Sequence, residues 1–357
     1  MKHTNKFIKM NCIFPAAGFL FLSLLVTSCA TNMLTMSVTE PAPVTVPASI
    51  NKVVVINRSM PSKKTKNLDK FEKILSAEGK NLDKDGAQEA VQALYDELGM
   101  HDRFTEVKLA DPVQTDNPGF GVFPASMSWE KVNKICREHN VDALFVLSFY
   151  DTDAKIDYKA VPVEVNTALG IDVPAVEHQA TVVTKIKTGW RIYDPANKII
   201  LDEFIVHEQV VSSGRGINPM KAIQAVMGRR QQVLEVSKII GQNYASRIFP
   251  YRIRVSREYY VRGTNNFKIA KRRARTGDWD GAAELWEREV DNPKRKAAGR
   301  ACYNMAIINE INGNLEAAVD WASKAYTDYR IKKALDYLNI LKYRIARNEQ
   351  LRQQTGE

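Results

Sequence analysis

The chain has 357 residues, 45% hydrophobic and 26% charged, the balance of an ordinary folded protein, which excludes a disordered or fibrous one. Its formal charge of +10 suits an anionic membrane surface, an acidic partner or an anionic polymer. Four cysteines do not make a disulfide framework: Cys12 and Cys29 fall at the N-terminal leader. Cys136 and Cys302 each lie on the apolar stripe of an expected helix, where cysteine behaves as a small hydrophobe.

Lys2, Lys6 and Lys9 precede an apolar run from about residue 12 to 26 that ends in small residues. This is the pattern of a secretory signal, too short to span a bilayer, which takes about 20 apolar residues. Val26-Thr27-Ser28-Cys29 resembles a bacterial lipobox. The resemblance implies cleavage after Ser28 and acylation of Cys29, and two or three acyl chains anchor a protein essentially for good. Ala30-Thr31-Asn32-Met33 has no aspartate at the second position and no acidic run. The expectation is therefore an outer-membrane anchor with the body in the periplasm, away from nucleic acid. Residues 1–28 are read as the lipoprotein signal. Residues 29–49 are the lipidated N-terminus and then either a tether, given Pro41, Pro43 and Pro47, or an edge strand, given the alternation of Leu34, Met36 and Val38 with Thr35, Ser37 and Thr39.

Residues 50–263 read as a mixed α/β domain. Val53-Val54-Val55-Ile56 makes a buried strand, and residues 61–70 are polar and basic, a loop. Asp85 is placed to cap a helix over 86–98 that ends at Gly99. A strand follows at 104–109, then a Pro- and Gly-rich loop over 111–125. Ser128 caps a helix whose face carries Trp129, Val132, Ile135, Cys136 and His139, closed by Asn140. The apolar run 143–147 directly after it reads as a central strand covered on both faces. Residues 155–165 alternate imperfectly and 166–174 break the pattern. Residues 180–193 and 199–211 pair through the turn Asp194-Pro195-Ala196-Asn197, and 212–217 form a glycine-containing loop. Asn218-Pro219 opens a long helix to 248, and Tyr251, Ile253 and Val255 alternate as a last strand. This element order, with the run 129–150, resembles the periplasmic α/β domain family that includes the curli-secretion lipoprotein, the N-terminal domain of TolB and lipoprotein activators of peptidoglycan synthases.

Residues 264–357 read as all-helical, with an internal repeat. Ala270, Gly277, Ala282 and Trp286 recur as Ala306, Gly313, Ala318 and Ala322, small residues where antiparallel helices touch and a glycine at the turn. The period is near that of the tetratricopeptide repeat, with a capping helix from 331 to about 351. The fold class is thus α+β, a mixed sheet with helices, followed by helical repeats. The whole chain resembles uncharacterised bacterial lipoproteins carrying such repeats, a family that implies an architecture and a place but no activity.

Little catalytic chemistry is visible. Ser212-Ser213-Gly214-Arg215-Gly216 lacks the lysine and setting of a phosphate loop, and no nucleophile elbow occurs. His178 and His207, with Glu177 and Glu208, either face each other as metal ligands or are exposed strand residues. Asp151, Asp153 and Asp157 either bind a cation or are solvated charge. Cofactors, metals and an enzymatic activity are not expected. By resemblance, the concave face of the repeats takes a protein partner through Phe267, Lys271, Arg275, Arg300, Tyr303, Asn304 and Ile307. The leading expectation is an anchored interaction scaffold. The alternative is a binder of anionic cell-wall or lipopolysaccharide polymer through the basic, tyrosine-bearing stretch around 252–275.

Overall fold

The computed structural model describes residues 30–59, 70–112, 121–166, 168, 170–226 and 229–355. Cys29 and the leader lie outside them, as does nearly all of the loop expected over 61–70. The chain divides into two compact units: residues 39–251 with 349–357, and residues 252–348 with the N-terminal residues up to 38. The first is α+β around a mixed sheet; the second is built on helices.

In the α+β unit, β2 (Lys52–Asn57), β3 (Glu106–Leu109), β4 (Ala143–Asn166), β5 (Asp172–Asp194) and β6 (Ile199–Gly216) lie in the order β3-β2-β4-β5-β6. β2 is parallel to β3 and β4; the other pairs are antiparallel. The helices are α1 (Lys70–Met100), α2 (Trp129–His139), α3 (Pro219–Gln224) and α4 (Arg229–Ala245). Residues of α1 and α4 share one core with Val53, Val55, Phe145, Leu147 and Trp190, and residues of α2 share another with Val54, Ile56, Leu144 and Val146. Burial on both faces is why these strands carry unbroken apolar runs. The expected caps are in place: Ser128 accepts from the Lys131 amide, and Asn140 closes α2 at φ 50. The Asp194 carboxylate accepts from the Ala196 and Asn197 amides to form the β5–β6 turn.

Several boundaries differ from the sequence reading. Asp85 lies inside the longer α1 and binds Arg230 at 2.6 Å rather than capping a helix start, and Gly99 is within the helix. β4 runs on through the region of imperfect alternation. A register shift between Leu147 and Phe149 moves the later side chains to the opposite face, so no single period fits the strand. Residues 212–216 complete β6 instead of forming a loop. A Cβ at Gly214 would lie 2.4 Å from the Ala222 carbonyl oxygen, so glycine is what lets α3 rest on the strand. The single helix expected from 220 to 248 is α3, α4 and a 3-10 turn. Residues 41–50 are no tether. Val44, Val46 and Ile50 are buried in the α1–α4 core, and Arg103 donates to the carbonyls of Val46, Pro47 and Ile50.

The helical unit comprises α5 (Asn265–Arg275), α6 (Trp279–Glu287), α7 (Arg295–Ile311), α8 (Leu315–Thr327) and α9 (Lys332–Thr355, to residue 348 in this unit). A two-stranded sheet of β1 (Thr31–Glu40) and β7 (Tyr251–Tyr260) belongs to it. β7 was expected to close the α/β domain. It pairs with β1 instead because Leu34, Tyr259 and Val261 are buried with Trp286 and Phe267 in the helical core. The two glycine turns, 36 residues apart, share several backbone bonds. Gly277 (φ 85) and Gly313 (φ 81) take the left-handed conformation. The pairs of bonds Gly277 to Ala274 with Asp278 to Arg273, and Gly313 to Glu310 with Asn314 to Asn309, match, each a glycine-terminated helix end.

Candidate functional site

The residues expected to face a partner converge instead on the chain's own strand. Phe267 and Ile307 are fully buried. Asn304, on α7, accepts from the Tyr260 amide at 2.7 Å and donates to the Tyr260 carbonyl at 2.7 Å. One side chain thus satisfies both edge groups of a strand residue, as a neighbouring strand would. Arg300, one turn earlier, donates to the Arg262 carbonyl at 2.6 Å and lies 5.0 Å over the Tyr260 ring. Tyr303 meets the same ring edge-on at 5.3 Å. Tyr259 is buried beside Trp279 and Trp286. Of the seven residues, Lys271 is half-buried and Arg275 exposed. At most of the seven positions the side chains are thus engaged by the chain's own β7.

The deepest element of the seat is one that sequence reasoning missed. Glu310, at the end of α7, accepts from Arg257 of β7 through Nε and Nη2, both at 2.8 Å, from Tyr337 at 2.6 Å, and from Arg344. Its side chain is wholly buried and that of Arg257 is 9% exposed. Burial alone raises such a carboxyl, but the bonds from Arg257, Tyr337 and Arg344 outweigh it and hold Glu310 below its ordinary range. The only signal in the sequence was an acid three residues after Ile307 on an apolar helix stripe.

The other candidates separate. His178 and His207 do not meet: His207 is opposite Lys187, whereas His178 is opposite Gly216 at the far end of the ladder. His178 stacks on Tyr158 and is hydrogen-bonded to it. Asp151 and Asp153 are opposite Lys187 and Lys185, and Asp157 is opposite Thr181. Asp151 and Asp153 therefore face cross-strand cations in a shallow groove of about 470 Å³ that also takes in His207, Glu208 and Gln209. Opposite charges across an antiparallel pair stabilise the sheet. Among the described residues no three His, Cys, Asp or Glu come together as metal ligands would, and no described helix is long and apolar enough to cross a membrane.

The outer third of β4 and β5 presents a surface the sequence did not announce. Beyond the His178–Gly216 pair β6 ends, and among the described residues 161–166 are paired only to 172–177. Val161, Val163, Val165, Val173 and Ala175 share one face of this ribbon. Val165, Ile171, Val173 and Val176 are 42% to 60% exposed.

Among solved structures the chain is similar to the PelC dodecamer from Paraburkholderia phytofirmans, at 11% identity over 60% of this chain and 96% of that one, with a TM-score of 0.26. It is also similar to a neuraminyllactose-binding hemagglutinin homologue from Helicobacter pylori, at 10% identity over 57% and 94%, TM-score 0.26. Scores this low carry no argument about function. No curated protein matches the chain. A domain of unknown function, DUF6340, matches residues 268–343, and a second, DUF8603, matches residues 50–260. With more than half of its length matched, the chain belongs to the family described as a domain of unknown function, DUF8603.

Proposed function

We propose that this protein is a lipid-anchored envelope scaffold without catalytic activity, which docks a partner protein on the outer ribbon of β4 and β5. The ribbon is the observation that carries the reading. An isolated two-stranded ribbon is marginal in water, yet this one bears exposed valines on both faces and, among the described residues, no further strand on either edge. Contiguous exposed apolar side chains mark interaction surfaces, and open strand edges accept further strands. The helical groove supports docking less well, since its recognition residues are engaged by β7. The anchor rests on the lipobox resemblance at Cys29. A photo-crosslinking residue at Val163, on the same face as Val165 and Val173, is expected to give one discrete adduct in living cells, abolished by Val165→Ser/Val173→Ser/Val176→Ser. Adducts from Arg275 on α5 but none from the ribbon would overturn the reading. Palmitate incorporation that persists in Cys29→Ala would remove the anchor.

A second reading is binding of an anionic cell-wall or lipopolysaccharide polymer. It is favoured by the outward-facing Lys268, Arg272 and Arg275 of α5. Co-sedimentation with peptidoglycan or lipopolysaccharide that is indifferent to Lys268→Glu/Arg272→Glu/Arg275→Glu would dismiss it.

A further inference from the structure

The two units differ sharply in charge. Residues 252–348 hold 21 Lys and Arg against 12 Asp and Glu, a net +9, while residues 39–251 with 349–357 hold 27 against 29, a net −2. The helical unit is also the one in which the described chain begins. The Ala30 carbonyl accepts from the Val261 amide, Thr31 donates to Glu258, and Leu34 is buried in the helical core. The first described residues, Ala30 and Thr31, are thus bonded into this unit.

Cations gather around that point. Arg262 follows Val261, and its carbonyl is held by Arg300. Lys296 lies one turn before Arg300 on α7 and is exposed. Lys333 binds the same Glu258 oxygen that takes the Thr31 hydroxyl, and the exposed Lys332 stands next to it. The start of α9 is held close to α7, since a Cβ at Gly299 would lie 2.8 Å from Ile331. Arg262, Arg300 and Lys333 thus lie beside the groups that hold Ala30 and Thr31, and the exposed Lys296 and Lys332 extend this basic collar along α7 and α9.

We propose that this collar is a lipid-headgroup contact: the helical unit sits with Arg262, Lys296, Arg300, Lys332 and Lys333 against an anionic bilayer surface. The proposal rests on the anchor reading for its orientation. An acyl chain at residue 29 would bring these five cations to the headgroup plane. A polybasic patch is the usual second signal beside a lipid anchor, and each Lys or Arg near an anionic surface strengthens binding about fivefold. The contact weakens as salt screens it.

The test uses the chain from residue 30 onward, which retains every residue of the four buried clusters and carries no lipid, so its outcome is independent of whether Cys29 is acylated. The readout is sedimentation with phosphatidylcholine vesicles, with and without phosphatidylglycerol. Binding should require phosphatidylglycerol. Lys296→Gln/Lys332→Gln should weaken it roughly 25-fold, at about fivefold per charge. Arg288→Gln/Lys342→Gln removes the same charge from exposed residues outside the collar, Lys342 being about 15 Å along α9 from Lys332 at 1.5 Å per residue, and should change binding less than about threefold. Circular dichroism matching the parent chain shows that each variant is folded. No preference for phosphatidylglycerol, or an equal loss in both pairs, would overturn the proposal.

Discussion

Replacing Glu310 by glutamine removes one charge and almost no volume from the centre of the helical unit. The carboxylate accepts two bonds from Arg257, one from Tyr337 and one from Arg344. The amide keeps one acceptor oxygen and turns an NH₂ toward guanidinium groups that are 9% and 14% exposed. Breaking one partner of a buried ion pair costs about 3–5 kcal/mol. Because Gln retains part of the network, about 3 kcal/mol is expected, a large share of the roughly 5–15 kcal/mol that holds a domain together. Urea unfolding measures the loss, and hydrogen exchange in β7 and α7 assigns it to this unit. A carboxyl depressed in the fold contributes stability that is complete above its unfolded value and is lost as pH falls through the folded one. The gap between wild type and E310Q should therefore hold at neutral pH and close as pH falls below the ordinary 4.5. Arg257→Met should cost a similar amount, and the double variant less than the sum, since the two groups act as a pair. A gap under about 0.5 kcal/mol at pH 7, or one unchanged in acid, would refute the account.

Asn304→Ala leaves the Tyr260 amide and carbonyl without their side-chain partner. The expected cost is about 2–3 kcal/mol, from a net of about 1–3 per unsatisfied buried group, with the Tyr260 amide exchanging faster. Gly277→Ala and Gly313→Ala meet nothing within 4 Å, so their cost is backbone alone, about 1–2 kcal/mol each in thermal unfolding. Gly99→Ala, also unobstructed but helical, should instead stabilise by about 0.5–1 kcal/mol. Burial pushes the Cys136 and Cys302 thiols up to about 11. Both should resist alkylation at pH 8 in the folded protein and react once it is unfolded in urea.

Local signals were readable wherever one element carried its own cause. The Ser128 and Asn140 caps, the Asp194 turn and the glycine turns at 277 and 313 are set by the chemistry of one or two residues and stand where expected. The readings that moved depended on distant packing. Asp85 looked like a cap because no local feature announces Arg230. Gly214 looked like a turn because the helix that crosses it lies eight residues on. Residues 41–49 could be read as a tether because prolines hide the pocket that Val44 and Val46 fill.

The sequence by itself determined the two-part fold class and the turn glycines at 277 and 313. Periodicity and backbone propensity act within a few residues and need no partner to be legible. Only the tertiary structure decided that the strand ending at Tyr260 leaves the sheet it follows, takes β1 as its neighbour and packs into the helical core. The physical reason is that a strand's partner is chosen by the buried groups it must satisfy. Arg257 needed the carboxylate of Glu310, and the Tyr260 backbone needed the amide of Asn304, both more than 40 residues away.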